Sequence, residues 1–193
     1  MKILGLYNNT CAVRLFDYLE SIGHTVVRTE DKLTPEWCRE QDFDLAVSYT
    51  YKYILSEEIL DALKGNVVNI HNSYLPYNRG ASPNLWSLAE GTPRGVTLHY
   101  MDAGLDKGYI IAQKHVTDGD GETLKSSYDN LDENAFELFK EAFADYDRWP
   151  EMKRRAEGQG SYHSVKDTHI FDDIITSYDM KITDFVKKAR EII

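Results

Sequence analysis

Short apolar runs alternate with amphipathic stretches through the first part of the chain. Ile3 to Tyr7 is apolar and ends at the polar turn Asn8-Asn9-Thr10. Val13, Leu15, Phe16, Leu19 and Ile22 then recur at the three- and four-residue steps of one helix face, and Gly23 marks its stop. Thr25-Val26-Val27 reads as a second strand, and Thr34-Pro35-Glu36 as an N-cap with proline in the first helical position. Leu45-Ala46-Val47 is a third strand. Ser56 caps a further helix whose buried stripe is Ile59, Leu60 and Leu63, and Val67-Val68-Asn69-Ile70 is a fourth strand. Strand alternating with helix predicts an α/β fold, a doubly wound and largely parallel sheet of Rossmann-like form. Such sheets bind ligands beyond the carboxyl ends of their strands, which directs attention to the residues after Val47 and after Val68.

From Gly95 the pattern changes. Gly95 to Tyr100 and Tyr109 to Gln113 read as two strands joined by a turn rich in Asp and Gly. Thr123 to Tyr146 reads as one long amphipathic helix, and Thr183 to Ile193 as a last one. No repeat or low-complexity segment intervenes. The expected organisation is a single domain over residues 1–193, with a short C-terminal extension from about residue 158.

Composition narrows the function classes. The 22 basic and 32 acidic residues leave a formal charge of −10, a field that repels a phosphate backbone. Lys153-Arg154-Arg155 is the densest basic patch and is too short to reverse it, so no nucleic-acid partner is expected. Nothing approaches the ~20 apolar residues of a membrane span, so no membrane partner is expected either. Cys11 and Cys38, without a signal peptide or metal-type spacing, point to reduced thiols in a cytoplasmic protein.

Several clusters could carry chemistry. Strand alternation puts Asn69 and His71 on one face, an amide and an imidazole able to bind an oxyanion and handle a proton. Two polar residues satisfying a loop would look the same. Asp106 sits in the tight turn Gly104-Leu105-Asp106-Lys107-Gly108, where turn chemistry alone accounts for an aspartate. Tyr49 to Leu55 is an aromatic-dense loop that could wall a flat heterocycle, or could be tyrosines packed on one another. Arg79, in the Pro- and Gly-punctuated loop Leu75 to Pro83, could grip a phosphate or carboxylate. His99 lies in a strand pattern, and His115, His163 and His169 have no partner at metal-ligand spacing, so no metal is expected. There is no P-loop, no G-x-G-x-x-G and no nucleophile elbow.

The run Asn69-Ile70-His71-x-Ser73-x-Leu75-Pro76-x-x-Arg79-Gly80, followed by Gly95-Val96-Thr97-Leu98-His99 and Leu105-Asp106-x-Gly108, resembles the signature of 10-formyltetrahydrofolate-dependent formyltransferases. Three motifs in order are far more specific than any one. The resemblance covers about residues 43 to 125 well and extends over the rest of the chain. It implies a catalytic trio of Asn69, His71 and Asp106. It implies a folate wall of Tyr51, Lys52, Tyr53 and Leu55, with the backbone of Asp102 and Ala103 facing the pterin. 10-Formyltetrahydrofolate is then the co-substrate.

The expected substrate is an amine. The segments Val47 to Tyr53, Pro76 to Ala81 and Ser161 to Asp167 are similar to the sugar-nucleotide branch, which implies a nucleotide-linked amino sugar, with Tyr77, Asn78 and Arg79 as its contacts. The chain shows no counterpart of the C-terminal domain of methionyl-tRNA enzymes, and its charge opposes tRNA. Asn8-Asn9-Thr10 replaces the Gly-rich phosphate loop of glycinamide ribonucleotide enzymes. Glycinamide ribonucleotide formylation, a hydrolase passing the formyl group to water, and a catalytically silent folate- or nucleotide-binding module are the alternatives. A homodimer would fit an exposed apolar face on the last helix.

Overall fold

The computed structural model describes residues 1–119 and 121–193. Its first elements follow the hydrophobic pattern: β1 (Lys2–Leu6), α1 (Val13–Ser21), β2 (Thr25–Thr29), α2 (Pro35–Gln41), β3 (Leu45–Tyr49), α3 (Glu57–Ala62) and β4 (Val67–His71). The expected caps form. Thr34 Oγ1 accepts from the Trp37 amide and Ser56 Oγ from the Ile59 amide, satisfying amides that helix geometry leaves without partners. Arg79–Gly80 forms a two-residue strand, β5, followed by α4 (Pro83–Glu90), β6 (Gly95–Tyr100), β7 (Ile110–His115) and α5 (Leu124–Phe143). Thr123 and Ser126 close a capping box at the start of α5. The last elements are α6 (Trp149–Met152), β8 (Tyr162–His163), α7 (Val165–Thr168) and α8 (Ile182–Ala189). The final helix is shorter than its periodicity suggests.

Six strands form one sheet in the order β2-β1-β3-β4-β6-β7, and β5 pairs with β8. The four strands β2, β1, β3 and β4 are mutually parallel. Met101, just past β6, donates its amide to the carbonyl of Val67 at the start of β4, so β6 runs antiparallel to β4. The loop 101–109 is too short for a crossover, so β7 turns back beside β6. This is the expected α/β class, a mostly parallel sheet flanked by helices.

Contacts divide the chain into two compact units. The first comprises Met1–His71, Leu98–Ile111 and Tyr146–Arg155. Leu4 and Leu6 of β1 share one sheet face, and with Ala46 and Val67 they pack against Cys38 of α2 and Ile59 and Leu60 of α3. Gly5 points to the other face, where the ring of Phe16 from α1 lies so close that any side chain would collide with it. Helices therefore cover this sheet on both sides, which suits the unbroken burial of β3.

The second unit comprises Asn72–Thr97, Ala112–Asp145 and Ala156–Ile193. Its core gathers Leu85, Trp86 and Leu88 of α4, Leu124 of α5, Phe171, and Phe185 and Ala189 of α8. The stretch from about residue 158 thus supplies much of the packing of this unit. Among the described residues no helix is long and apolar enough to cross a membrane.

Candidate active site

β4 ends on Asn69-Ile70-His71, with Ile70 turned into the core and Asn69 and His71 on the opposite face. Beside it β6 brings in a residue that the sequence pattern leaves without a partner. Asn69 Nδ2 lies 3.4 Å from His99 Nε2, and His99 is buried. The rings of His71 and His99 stand edge to face with centroids 6.5 Å apart.

The loop after β6 carries Asp106 back to this cluster. Asp106 adopts left-handed backbone geometry (φ 51°), which aspartate tolerates better than most residues. Gly108 then passes so close to the carbonyl of Tyr100 that no side chain fits there. The Asp102 carboxylate accepts from the Gly104 amide. Arg155 grips the loop from outside, donating to the Lys107 carbonyl at 3.0 Å, pairing with Asp102 at 3.6 Å and stacking on Tyr109. The basic patch of the sequence therefore holds this loop. A groove of about 380 Å³ opens along the loop's flank, lined by Asp102, Tyr109 and Arg155 among others.

Asp106 ends between two imidazoles. Its Oδ2 is 3.7 Å from His71 Nε2 and its Oδ1 is 3.6 Å from His99 Nε2, with both carboxylate and rings almost shielded from solvent. These contacts are within ion-pair reach but longer than hydrogen bonds, and catalytic contacts commonly tighten only in the reacting complex. The His99 Nδ1 sits 2.8 Å from the carbonyl of Tyr100, which can only accept, so Nδ1 carries a proton. A neutral His99 then presents a lone pair at Nε2 to the Asn69 amide, whereas a protonated one donates from Nε2 toward Asp106. One proton on His99 decides which neighbour it serves. Asn69, His71, His99 and Asp106 together can orient an amide toward a developing oxyanion and balance a positive charge on either ring.

The aromatic loop after β3 lies in the same unit. Tyr51 donates to the carbonyl of Asp31 at 2.5 Å and packs edge-on against Tyr53 at 5.4 Å, with Lys52 over the Tyr53 ring. Burial pushes the Tyr51 phenol above its usual range. Leu55 is buried in the core beside α3, while Asp102 and Ala103 are exposed at the start of the Asp106 loop.

Tyr77, Asn78 and Arg79 belong to the second unit. Tyr77 and Arg79 are half-buried, but Asn78 is wholly buried, donating to Thr92 Oγ1 and accepting from Ser161 Oγ. The Arg79 amide and Nε both donate to the Ser161 carbonyl. His163 stacks on Trp86 with centroids 3.7 Å apart. Among the described residues no group of three or more His, Cys, Asp or Glu is arranged to hold a metal ion.

Of the four clustered residues, His99 is the one to which the sequence assigned no role. Its signal was an imidazole on the polar face of the alternating strand Val96-Thr97-Leu98-His99, within one of the three ordered motifs.

Residues 18–143 match the family model described as "Formyl transferase". The chain belongs to the formyl transferase family. This family member is 34% identical over 149 residues to the methionyl-tRNA formyltransferase of Myxococcus xanthus, a match covering 75% of the chain and 48% of the relative. The chain spans about half the length of the curated relatives it matches. Among solved structures, it resembles the formyltransferase PseJ from Anoxybacillus kamchatkensis with a TM-score of 0.85 and 36% identity, over 98% of this chain and 100% of PseJ. That protein was crystallised with UDP-4,6-dideoxy-4-formamido-L-AltNAc and tetrahydrofolate. A 4-N formyltransferase from Francisella tularensis shares the fold at a TM-score of 0.76 and 22% identity, over 97% of this chain and 87% of its own.

Proposed function

We propose that this formyl transferase moves a formyl group from 10-formyltetrahydrofolate to the primary amine of a nucleotide-linked amino sugar. The observation that carries the reading is the buried cluster of Asn69, His71, His99 and Asp106 at one end of β4. The PseJ structure, similar over nearly the whole chain, holds a formamido nucleotide sugar and tetrahydrofolate and supports the choice of substrate class.

The donor would lie against Tyr51, Lys52, Tyr53 and Leu55, its pterin edge read by the backbone of Asp102 and Ala103. The neutral amine attacks the formyl carbon, and the carbonyl π pair moves onto oxygen. Asn69 and His71 stabilise that oxyanion. When the carbonyl re-forms, the bond from carbon to N10 breaks and N10 takes a proton as tetrahydrofolate leaves. The amine gives up one proton, with Asp106 orienting His71 for the transfer. His99, with its Nε2 lone pair, holds the Asn69 amide in place for the oxyanion. Tyr77 and Arg79 are the proposed acceptor contacts, with Asn78 holding their loop through Thr92 and Ser161. Cys11 and Cys38 form no disulfide, in keeping with a cytoplasmic enzyme.

A second reading, formylation of methionyl-tRNA, is favoured by the curated relatives. The formal charge of −10 weighs against it. Tetrahydrofolate release should be followed by absorbance with a panel of amino-sugar nucleotides, glycinamide ribonucleotide and methionyl-tRNA. Turnover with an amino-sugar nucleotide, lost in His71→Ala, is the expected result. Turnover with only one of the other two acceptors would overturn the substrate, and turnover with none would overturn the activity.

A further inference from the structure

The turn after β1 has no phosphate-loop glycines, and its two asparagines make a different set of contacts. Asn8 Oδ1 accepts from the Lys52 amide at 2.9 Å, while its Nδ2 donates to the Glu30 carbonyl at 3.2 Å. Both ends of one amide are thus engaged, tying the loop after β3 to the loop after β2. Thr50 adds a second tie. Its Oγ1 accepts from the Asn9 amide at 3.1 Å and the Asn8 amide at 3.5 Å. Thr50 itself is left-handed (φ 63°), a conformation that a β-branched residue adopts only when its surroundings impose it. The Tyr51 hydroxyl reaches the Asp31 carbonyl on the same side.

We propose that Asn8 is a positioning residue that sets the shape of the 50–55 loop and thereby the affinity for the folate donor. This rests on the reading of that loop as the donor wall. The physical argument is pre-organisation: a loop that is already ordered loses less conformational freedom when a flat ligand settles on it. Asn8 acts through the Lys52 backbone, so on this reading it affects donor binding and leaves the chemical step alone. Thr50 acts in concert, because its strained backbone persists only while its hydroxyl is held by the Asn8 and Asn9 amides.

The test compares wild type with Asn8→Ala, Thr50→Ala and Thr50→Ser, measuring tetrahydrofolate affinity by calorimetry together with donor KM, acceptor KM and kcat. Loss of one such hydrogen-bonded tie should weaken tetrahydrofolate binding and raise donor KM by about five- to tenfold. The acceptor KM and kcat should stay within about twofold of wild type, since neither step uses the loop's pre-organisation. Thr50→Ala should follow Asn8→Ala, and Thr50→Ser, which keeps the hydroxyl, should restore wild-type values. Thr50→Ala also serves if Asn8→Ala does not fold. Unchanged donor affinity in the alanine variants would overturn the positioning role, as would an equal loss in donor KM, acceptor KM and kcat. Absence of tetrahydrofolate binding by the wild type would instead overturn the donor-wall reading, and the positioning role with it.

Discussion

Replacing Asp106 by asparagine removes one negative charge from between two imidazoles and leaves the shape of the site nearly intact. The carboxylate oxygens are 3.6 Å from His99 Nε2 and 3.7 Å from His71 Nε2. If positive charge builds on one ring during formyl transfer, an effective dielectric constant near 20 gives about 4.5 kcal/mol of attraction at that separation. Only about 9% of either carboxylate or His71 side chain is exposed, so solvent screening removes little of it. The expected loss is therefore roughly 10³-fold in kcat, with the KM of each substrate changed only a few-fold. The assay is steady-state release of tetrahydrofolate at saturating donor and acceptor. His99→Gln and His71→Gln, each made alone and in the Asp106→Asn background, identify the ring that carries the charge. That histidine should cost much less in the double variant than alone, because its electrostatic partner is already gone. A loss below tenfold in Asp106→Asn, or strict additivity with both histidines, would refute the coupling.

Two predictions concern stability. The Arg94 side chain, about 9% exposed, pairs with Asp118 and donates to Asn84 Oδ1 and Ser127 Oγ, and its desolvation pulls the guanidinium below the usual arginine range. Arg94→Met leaves Asp118 without its cation and should cost about 3–5 kcal/mol in urea unfolding, much of it recovered by adding Asp118→Leu. Burial, with Tyr178 beside it, pushes the Tyr128 phenol well above its usual range. The folded state therefore holds that proton more tightly than the unfolded chain. The linked stabilisation is complete below the unfolded value near 10 and is lost as pH rises toward the folded value. Urea midpoints measured from pH 8 to 11.5 should fall more steeply above pH 10 for wild type than for Tyr128→Phe, and parallel curves would contradict this.

Whatever depends on neighbours a few residues away could be read along the chain. The alternation of β1 to β4 with three helices was readable because each buries a periodic stripe. The starts of α2 and α3 were readable because Thr34 and Ser56 satisfy amides within three residues. Asn69, His71 and Asp106 were legible through ordered motifs. Tertiary structure alone decided what depends on partners dozens of residues apart. His99 joins Asn69 only because β6 lies antiparallel to β4, and no local pattern specifies that pairing. Arg155 grips the Asp106 loop, and Asn78 turns inward to Ser161, across separations that periodicity cannot encode. Loop closure joins such pairs only when the packed elements between them already hold the ends close, so the complete site follows from packing and not from the spacing of its residues.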